Sequence, residues 1–446
     1  MGSLRTLLIF AAAAAVVLVP TASGSSTALA AATVPEMTAI CEEVLEPITG
    51  GASASSEPLG VCQWDMLAIN ATAAGSHAVA TGRGVKVGVL DSGVDMTHPD
   101  VAPNLDIASS CSFIFSHTPT ALPAEIANGA CANKAAVQDL NGHGTHVASN
   151  IAAPVNGIGI AGVAPEATIV ALKVCTAVGY CFADSVAAGL RKAGDLALDV
   201  VNLSLFADPY LYYCGNDGEQ RAIYQDLRDA AKYAQQRGVV IVAAAGNETH
   251  DLQHPDLDVI SPDWPPDAAE EREVGNNCRV APTEIPGVLT VSAAGPEEIA
   301  SYSSVGMGVI DVAAPGGDYF AATDSVQDAV LGAWTSTGTD GTWEFFDEEL
   351  EPIFPGITAV DGTARYIWIT GTSMATPHAA GVAALVRQMH PGWSSGAVIA
   401  AVTRTAQPLP CPDVAEDDPR ERCYGGGGRT SFYGHGLVDA LAAART

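Results

Sequence analysis

The chain has 446 residues, with 20 Lys plus Arg against 50 Asp plus Glu and a formal charge of -30. A surface this acidic repels phosphate backbones and anionic bilayers, which excludes nucleic acid and a membrane surface as expected partners. The length admits two or three average domains or one large α/β domain.

Residues 1–30 hold one positive charge, at Arg5, an apolar run from Leu7 to Val19 and the small-residue ending Ala28-Leu29-Ala30. The run is too short to span a bilayer, so it predicts a secretory signal peptide and an extracellular, secreted protein. Residues 31–80, rich in Ala, Ser and Gly around TGGASASSEPLG, form a short N-terminal segment with Trp64 as its main anchor. This segment is either processed or packed as an arm on the main domain, 81–446. Ten cysteines suit an oxidising compartment. Cys41/Cys62, Cys111/Cys131, Cys175/Cys181 and Cys411/Cys423 are close in sequence and Cys214 and Cys278 remain, so five disulfides are expected, paired by proximity. The absence of C-x-x-C argues against a zinc ribbon.

Along the main domain VKVGVLDSGVD, ATIVALKVC, ALDVVNLSL, GVVIVAAAGN, GVLTVSAAG and GVIDVAAPG are short apolar runs, rich in β-branched residues, that end in small or polar residues. That is the pattern of strands buried on both faces of a parallel sheet. Between them GTHVASNIA, FADSVAAGLRKAGDL and EQRAIYQDLRDAAKYAQQRG read as helices. In the last, Ala222, Leu227, Ala230, Ala231 and Ala234 are expected on the buried face and Arg228 and Lys232 in water. The alternation predicts a doubly wound, mostly parallel α/β sheet covered by helices on both faces. Asp251–Val280, rich in Pro and acids, and Asp318–Arg365, with Trp334 and Trp343, are expected as surface insertions without cores of their own. The second reads as a short hairpin beside the site.

In such a fold, chemistry collects at the C-terminal strand ends. Asp91 ends the first run. DLNGHGTHVA sets His143 between Gly142 and Gly144 at a helix start, where the glycines are expected to leave open backbone around the imidazole. Asn247 ends GVVIVAAAGN, and GTSMATPHAAGVAAL puts Ser373 at the head of a helix of small residues. A lone serine there is a helix cap. A nucleophile needs a base, a group that orients the base, and oxyanion donors, and His143, Asp91 and Asn247 are the candidates. The order Asp, His, Ser differs from that of α/β-hydrolases, and no G-x-S-x-G surrounds Ser373. His146 forms H-x-x-H with His143, but without H-E-x-x-H or a thiolate it is expected as a hydrogen-bonded helix histidine rather than a metal ligand. His378 is expected to be packed beside its helix, and Thr372 and Thr376 to be structural hydroxyls.

DSGVD at Asp91, NGHGTHVA at Asn141 to Ala148, AAAGN at Ala243 to Asn247, GTSMATPHAAG around Ser373 and the closing YGHGLVDA resemble the motifs of the subtilisin family of serine endopeptidases. The resemblance implies a subtilisin-like catalytic domain over 81–446, a protein or peptide substrate, a monomer, and no cofactor for the chemistry. It implies that Ser373 attacks the scissile carbonyl, His143 takes and returns the proton, and Asp91 orients the imidazole. The Asn247 side chain and the Ser373 backbone N-H then hold the oxyanion. It leaves room for a structural calcium, since Asp100 in HPD and Asn156 in VNGIGIAG match ligand positions of some members. Two departures stand out. Residues 31–80 are short for the inhibitory chaperone that family members carry, so self-processing does not follow. Phe206 stands where Ser-Leu-Gly is usual, and is expected either to narrow the rail that pairs with substrate or to fold back into an apolar wall. The alternative to an enzyme is a non-catalytic peptide-binding relative, which the complete set of motifs disfavours.

Overall fold

The computed structural model describes residues 31–336 and 350–446, except 352, 355, 413–417, 419, 421 and 427. The signal-like residues 1–30 and Trp343 therefore lie outside the described residues. Seven strands form the main sheet: β1 (Lys86–Asp91), β2 (Cys111–Ser112), β3 (Thr168–Lys173), β4 (Val200–Leu203), β5 (Val240–Ala244), β6 (Leu289–Ala294) and β7 (Val312–Pro315). Their order is β7-β6-β5-β4-β1-β3-β2, and every neighbouring pair is parallel. Six of them fall in the six apolar runs; the two-residue edge strand β2 has no such run to announce it. From β1 the chain crosses to the edge strand β2, returns to β3 beside β1, and then adds β4 to β7 on the other side, so the C-terminal end of β1 lies at the switch point where such sheets open a crevice.

Successive residues of each strand feed opposite cores. Val87 and Val89 join Ile169, Val200, Val240 and Val242 in one core, with α1 (His143–Ala152) and α4 (Thr372–Met389) packed over this face. Leu90, Val170, Leu172, Val201 and Ile241 lie in the other core, with residues of α2 (Ala183–Asp195) and α3 (Gly218–Gln235). Asp217 caps α3 by accepting from the backbone N-H groups of Glu219 and Gln220, each at 2.9 Å. Leu227, Ala230, Ala231 and Ala234 are buried as expected and Arg228 and Lys232 exposed, but Ala222 is exposed too. It lies five residues before Leu227, too far round a 3.6-residue turn to share that face.

All ten cysteines are paired, each with its neighbour in sequence: Cys41–Cys62, Cys111–Cys131, Cys175–Cys181, Cys214–Cys278 and Cys411–Cys423. A second, antiparallel sheet is built from β8 (Val330–Trp334), β9 (Thr358–Asp361) and β10 (Ala364–Ile369). The N-terminal strand Ala32–Thr33 adds to it alongside β9. Tyr366, Ile367 and Trp368 of this sheet, with Ile357 just before β9, are buried within the main core, so the described part of the insertion shares that core. The earlier insertion, 251–280, packs Leu252, Cys278 and Val280 on Leu211 and Tyr212 in a small apolar cluster, against which the half-buried Phe206 packs.

Candidate active site

The end of β1 and the start of α1 meet through a carboxylate and an imidazole. Asp91 is buried, and its two oxygens lie 2.8 and 3.0 Å from His143 Nδ1. A carboxylate only accepts, so Nδ1 carries the proton and Nε2 keeps its lone pair in the neutral ring. Burial opposes charging of His143, but the Asp91 charge and hydrogen bond, helped by Asp139, outweigh it and hold the imidazole above its ordinary value.

Asp139, which no sequence pattern had singled out, organises this corner. It is fully buried; Oδ1 accepts from Ser92 Oγ (2.9 Å), Asn141 N (3.0 Å) and Gly142 N (2.9 Å), and Oδ2 from Thr145 N (2.9 Å) and Thr145 Oγ1 (2.6 Å). The Asn141 side chain accepts from His143 N at 3.1 Å, so donors at the head of α1 are satisfied by side chains. Beneath it a buried ion pair, Lys173 with Glu125 at 2.8 Å, also donates from Lys173 to the Ser92 carbonyl. The glycines flanking His143 have a packing reason rather than the open backbone expected of them. Gly142 has φ 122°, and a Cβ there would lie 2.2 Å from the Trp334 ring; one on Gly144 would lie 2.1 Å from Gly93 O.

Ser373 sits in the first turn of α4, half-buried in an otherwise buried helix stretch. Its Oγ donates to Ser204 O at 3.2 Å, and Ser204 Oγ donates back to Ser373 O at 2.7 Å, tying α4 to the end of β4. Among the described residues its hydroxyl makes no hydrogen bond to His143. Asn247 follows β5, and its Oδ1 accepts from Thr372 N (2.9 Å) and Thr372 Oγ1 (2.8 Å). With the oxygen doubly engaged, the NH₂ is the group left to face a ligand. Thr376 Oγ1 donates to Thr372 O at 2.8 Å, so both threonines are structural as expected. His146 is buried between Val330 O (3.3 Å) and the Asn150 amide (3.1 Å); burial, reinforced by the neighbouring His143, pushes it down to about 3 and keeps it neutral.

Asn156 lies in the loop between α1 and β3, and Asp100, from the stretch between β1 and β2, bonds to the same loop. Burial pushes Asp100 up to about 8, and its Oδ2 accepts from Tyr366 OH (2.9 Å) and Ile160 N (3.1 Å). Glu57 Oε2 accepts from the N-H groups of Asn156 (3.3 Å), Gly157 (2.8 Å) and Ile158 (2.9 Å), and Asp361 accepts from Gly159 N at 2.9 Å. Asn156 Oδ1 is itself taken by Ile158 N at 2.9 Å. A calcium cage needs six or more oxygens converging on the ion. Here consecutive backbone N-H donors converge on protein carboxylates instead, and one carboxylate oxygen, Asp100 Oδ1, is left without a partner. This donor set does not fit a calcium, and no cluster of three or more His, Cys, Asp or Glu side chains able to hold a metal occurs among the described residues.

A parallel doubly wound sheet with a carboxylate-oriented histidine at its switch point and a serine heading a buried helix defines the subtilisin-like class. The sequence model of the subtilase family matches residues 82–436. M-protease of Shouchella clausii is 33% identical over 386 residues, which is 86% of this chain and 70% of that one. Subtilisin BL of Lederbergia lenta is 33% identical over the same share of this chain and 98% of its own. Among solved structures, a protease from Pseudoalteromonas arctica aligns with a TM-score of 0.58 at 26% identity, over 88% of this chain and 99% of that one. The epidermin leader peptide processing serine protease of Staphylococcus aureus shares the fold, with a TM-score of 0.63 at 22% identity over 87% and 81% of the two chains. The chain belongs to the subtilase family and is a serine-type endopeptidase acting on proteins or peptides.

Proposed function

We propose that Ser373, His143 and Asp91 form the catalytic triad, with Asn247 as an oxyanion donor, and that the protein is exported and cleaves extracellular proteins. The observation that carries this reading is the Asp91–His143 pair, which fixes the tautomer with Nε2 free to accept. In the reaction the Ser373 hydroxyl leaves Ser204 O for His143 Nε2, a rearrangement in keeping with catalytic bonds that tighten only with substrate bound. Oγ bonds the scissile carbonyl carbon as its proton passes to His143, and Asp91 favours the imidazolium that forms. The Asn247 NH₂ and the Ser373 N-H stabilise the oxyanion. The imidazolium protonates the leaving amine, and water, deprotonated by the same ring, releases the acyl group. Nucleophile, base and oxyanion donor all come from the chain, so the reading requires no cofactor.

A fluorophosphonate probe tests it. The wild-type protein should be labelled on Ser373 and lose peptide hydrolysis, and Ser373→Ala should be neither labelled nor active. Absence of labelling would favour the non-catalytic peptide-binding relative. N-terminal sequencing of exported protein that still began at Met1 would overturn the signal-peptide reading.

A further inference from the structure

His378 lies five residues after Ser373 on α4, wholly buried, with both ring nitrogens engaged. Nδ1 is 2.7 Å from Met374 O, the carbonyl directly after Ser373, and Nε2 is 2.8 Å from Asp65 Oδ2. The carbonyl can only accept, so Nδ1 carries a proton and the ring's orientation is set. The carboxylate comes from the N-terminal segment, and it too is wholly buried. Its neighbours in sequence are equally engaged. Trp64 Nε1 donates to Ala329 O at 2.8 Å, and Gln63 makes a two-way pair with the Ala161 backbone at 2.9 and 3.0 Å. Three consecutive residues thus bond to three separate parts of the domain: the loop before β3, the entry to β8, and the helix that carries the nucleophile. No hydrogen bond joins residues 31–80 to Asp91, His143, Asn247 or Ser373 among the described residues, so the segment supports the site from behind.

We propose that Asp65 is a positioning residue of the protease: through His378 it holds the first turn of α4 behind Ser373, so the stretch Gln63–Asp65 stays with the active enzyme rather than being removed on maturation. Removing the segment would leave His378 Nε2 in a dry interior facing nothing, a cost of the kind that follows when one partner of a buried polar pair is lost. The first turn of α4 carries both Ser373 and its backbone N-H, so a small displacement there affects nucleophile and oxyanion donor together.

The proposal rests on Ser373 being the nucleophile, and the test separates the two. Active protein isolated after export is analysed by N-terminal sequencing and by intact mass without reduction, and the full-length chain carrying Asp65→Asn or Asp65→Ala is compared with wild type. Wild type that does not react with the fluorophosphonate refutes the nucleophile assignment. Given that it reacts, the expected result is a mature N-terminus before Asp65. Asp65→Ala should also lower kcat and the phosphonylation rate together by about 10- to 100-fold with KM nearly unchanged, and Asp65→Asn should restore much of the loss because its amide can still bond His378. Should Asp65→Ala fail to fold, the wild-type N-terminus still decides. Active wild-type enzyme lacking residues 31–65, or Asp65→Ala with unchanged phosphonylation rate and kcat, overturns the proposal.

Discussion

In the proposed triad the imidazole of His143 must be neutral to accept the Ser373 proton, and Asp91 holds its pKa above the ordinary value of about 6.5. Activity is therefore lost as pH falls through that raised value, and the acid limb of kcat/KM should lie above 6.5. Asp91→Asn should move the limb down while reducing the rate; a pH-rate profile of both proteins checks this. Asn247→Leu should lower kcat by about 10²- to 10³-fold, the range established for loss of one oxyanion donor. Thr372→Val, which leaves the N-H but removes the hydroxyl that pins Asn247 Oδ1, should give a smaller loss in kcat with KM preserved. Phe206 is half-buried against the cluster of Leu211, Tyr212, Leu252 and Val280, so it reads as a wall. Phe206→Ala should then cost about 2–3 kcal/mol of stability, somewhat less than a fully buried aromatic, and leave cleavage preference unchanged. Thermal melting with peptide-library profiling checks it, and a broadened preference without loss of stability would restore the ring to the cleft.

At the scale of elements, the six long strands were legible because each is buried on both faces and so reads as an unbroken apolar run. The edge strand β2 was not, since two residues carry no period. The motif residues Asp91, His143, Asn247 and Ser373 could be picked from the sequence. Asp65 and the Lys173–Glu125 pair could not, because a buried charge announces itself only through a partner brought close by folding, as across the 47 residues between Glu125 and Lys173; Asp139 could not because most of its partners are backbone N-H groups, which no side-chain pattern records. The 156–160 loop shows the same effect, since it is held by Glu57 from one side of the sequence, by Asp361 from far along it, and by Asp100, which Tyr366 supports in turn. A chelator should therefore leave the melting temperature unchanged. Tyr366→Phe, which strips a donor from the buried Asp100, should destabilise by about 1–3 kcal/mol. A melting temperature that falls on chelation would show that an ion holds the loop instead.

For the molecule as a whole, the 20 cations against 50 acids leave a surface of one dominant sign. Much of its stability is tied up in an interior where two cores share one sheet, and its loops are fastened by five disulfides. Alkylation of the folded protein without prior reduction should label none of the ten cysteines; five or more modified thiols by mass spectrometry would contradict that framework.

The five bridges neither cross nor nest: each cysteine is joined to the next one along the chain. A polypeptide crossing a membrane N-terminus first offers its thiols to the far side one after another. An oxidant that simply couples each newly emerged thiol to the one already waiting would write the native set in order, with no bond to undo. The protein should accordingly mature in a host that has a disulfide-forming oxidant but lacks an isomerase. A circular permutant that began between two bridged cysteines would lose this advantage and come to depend on reshuffling.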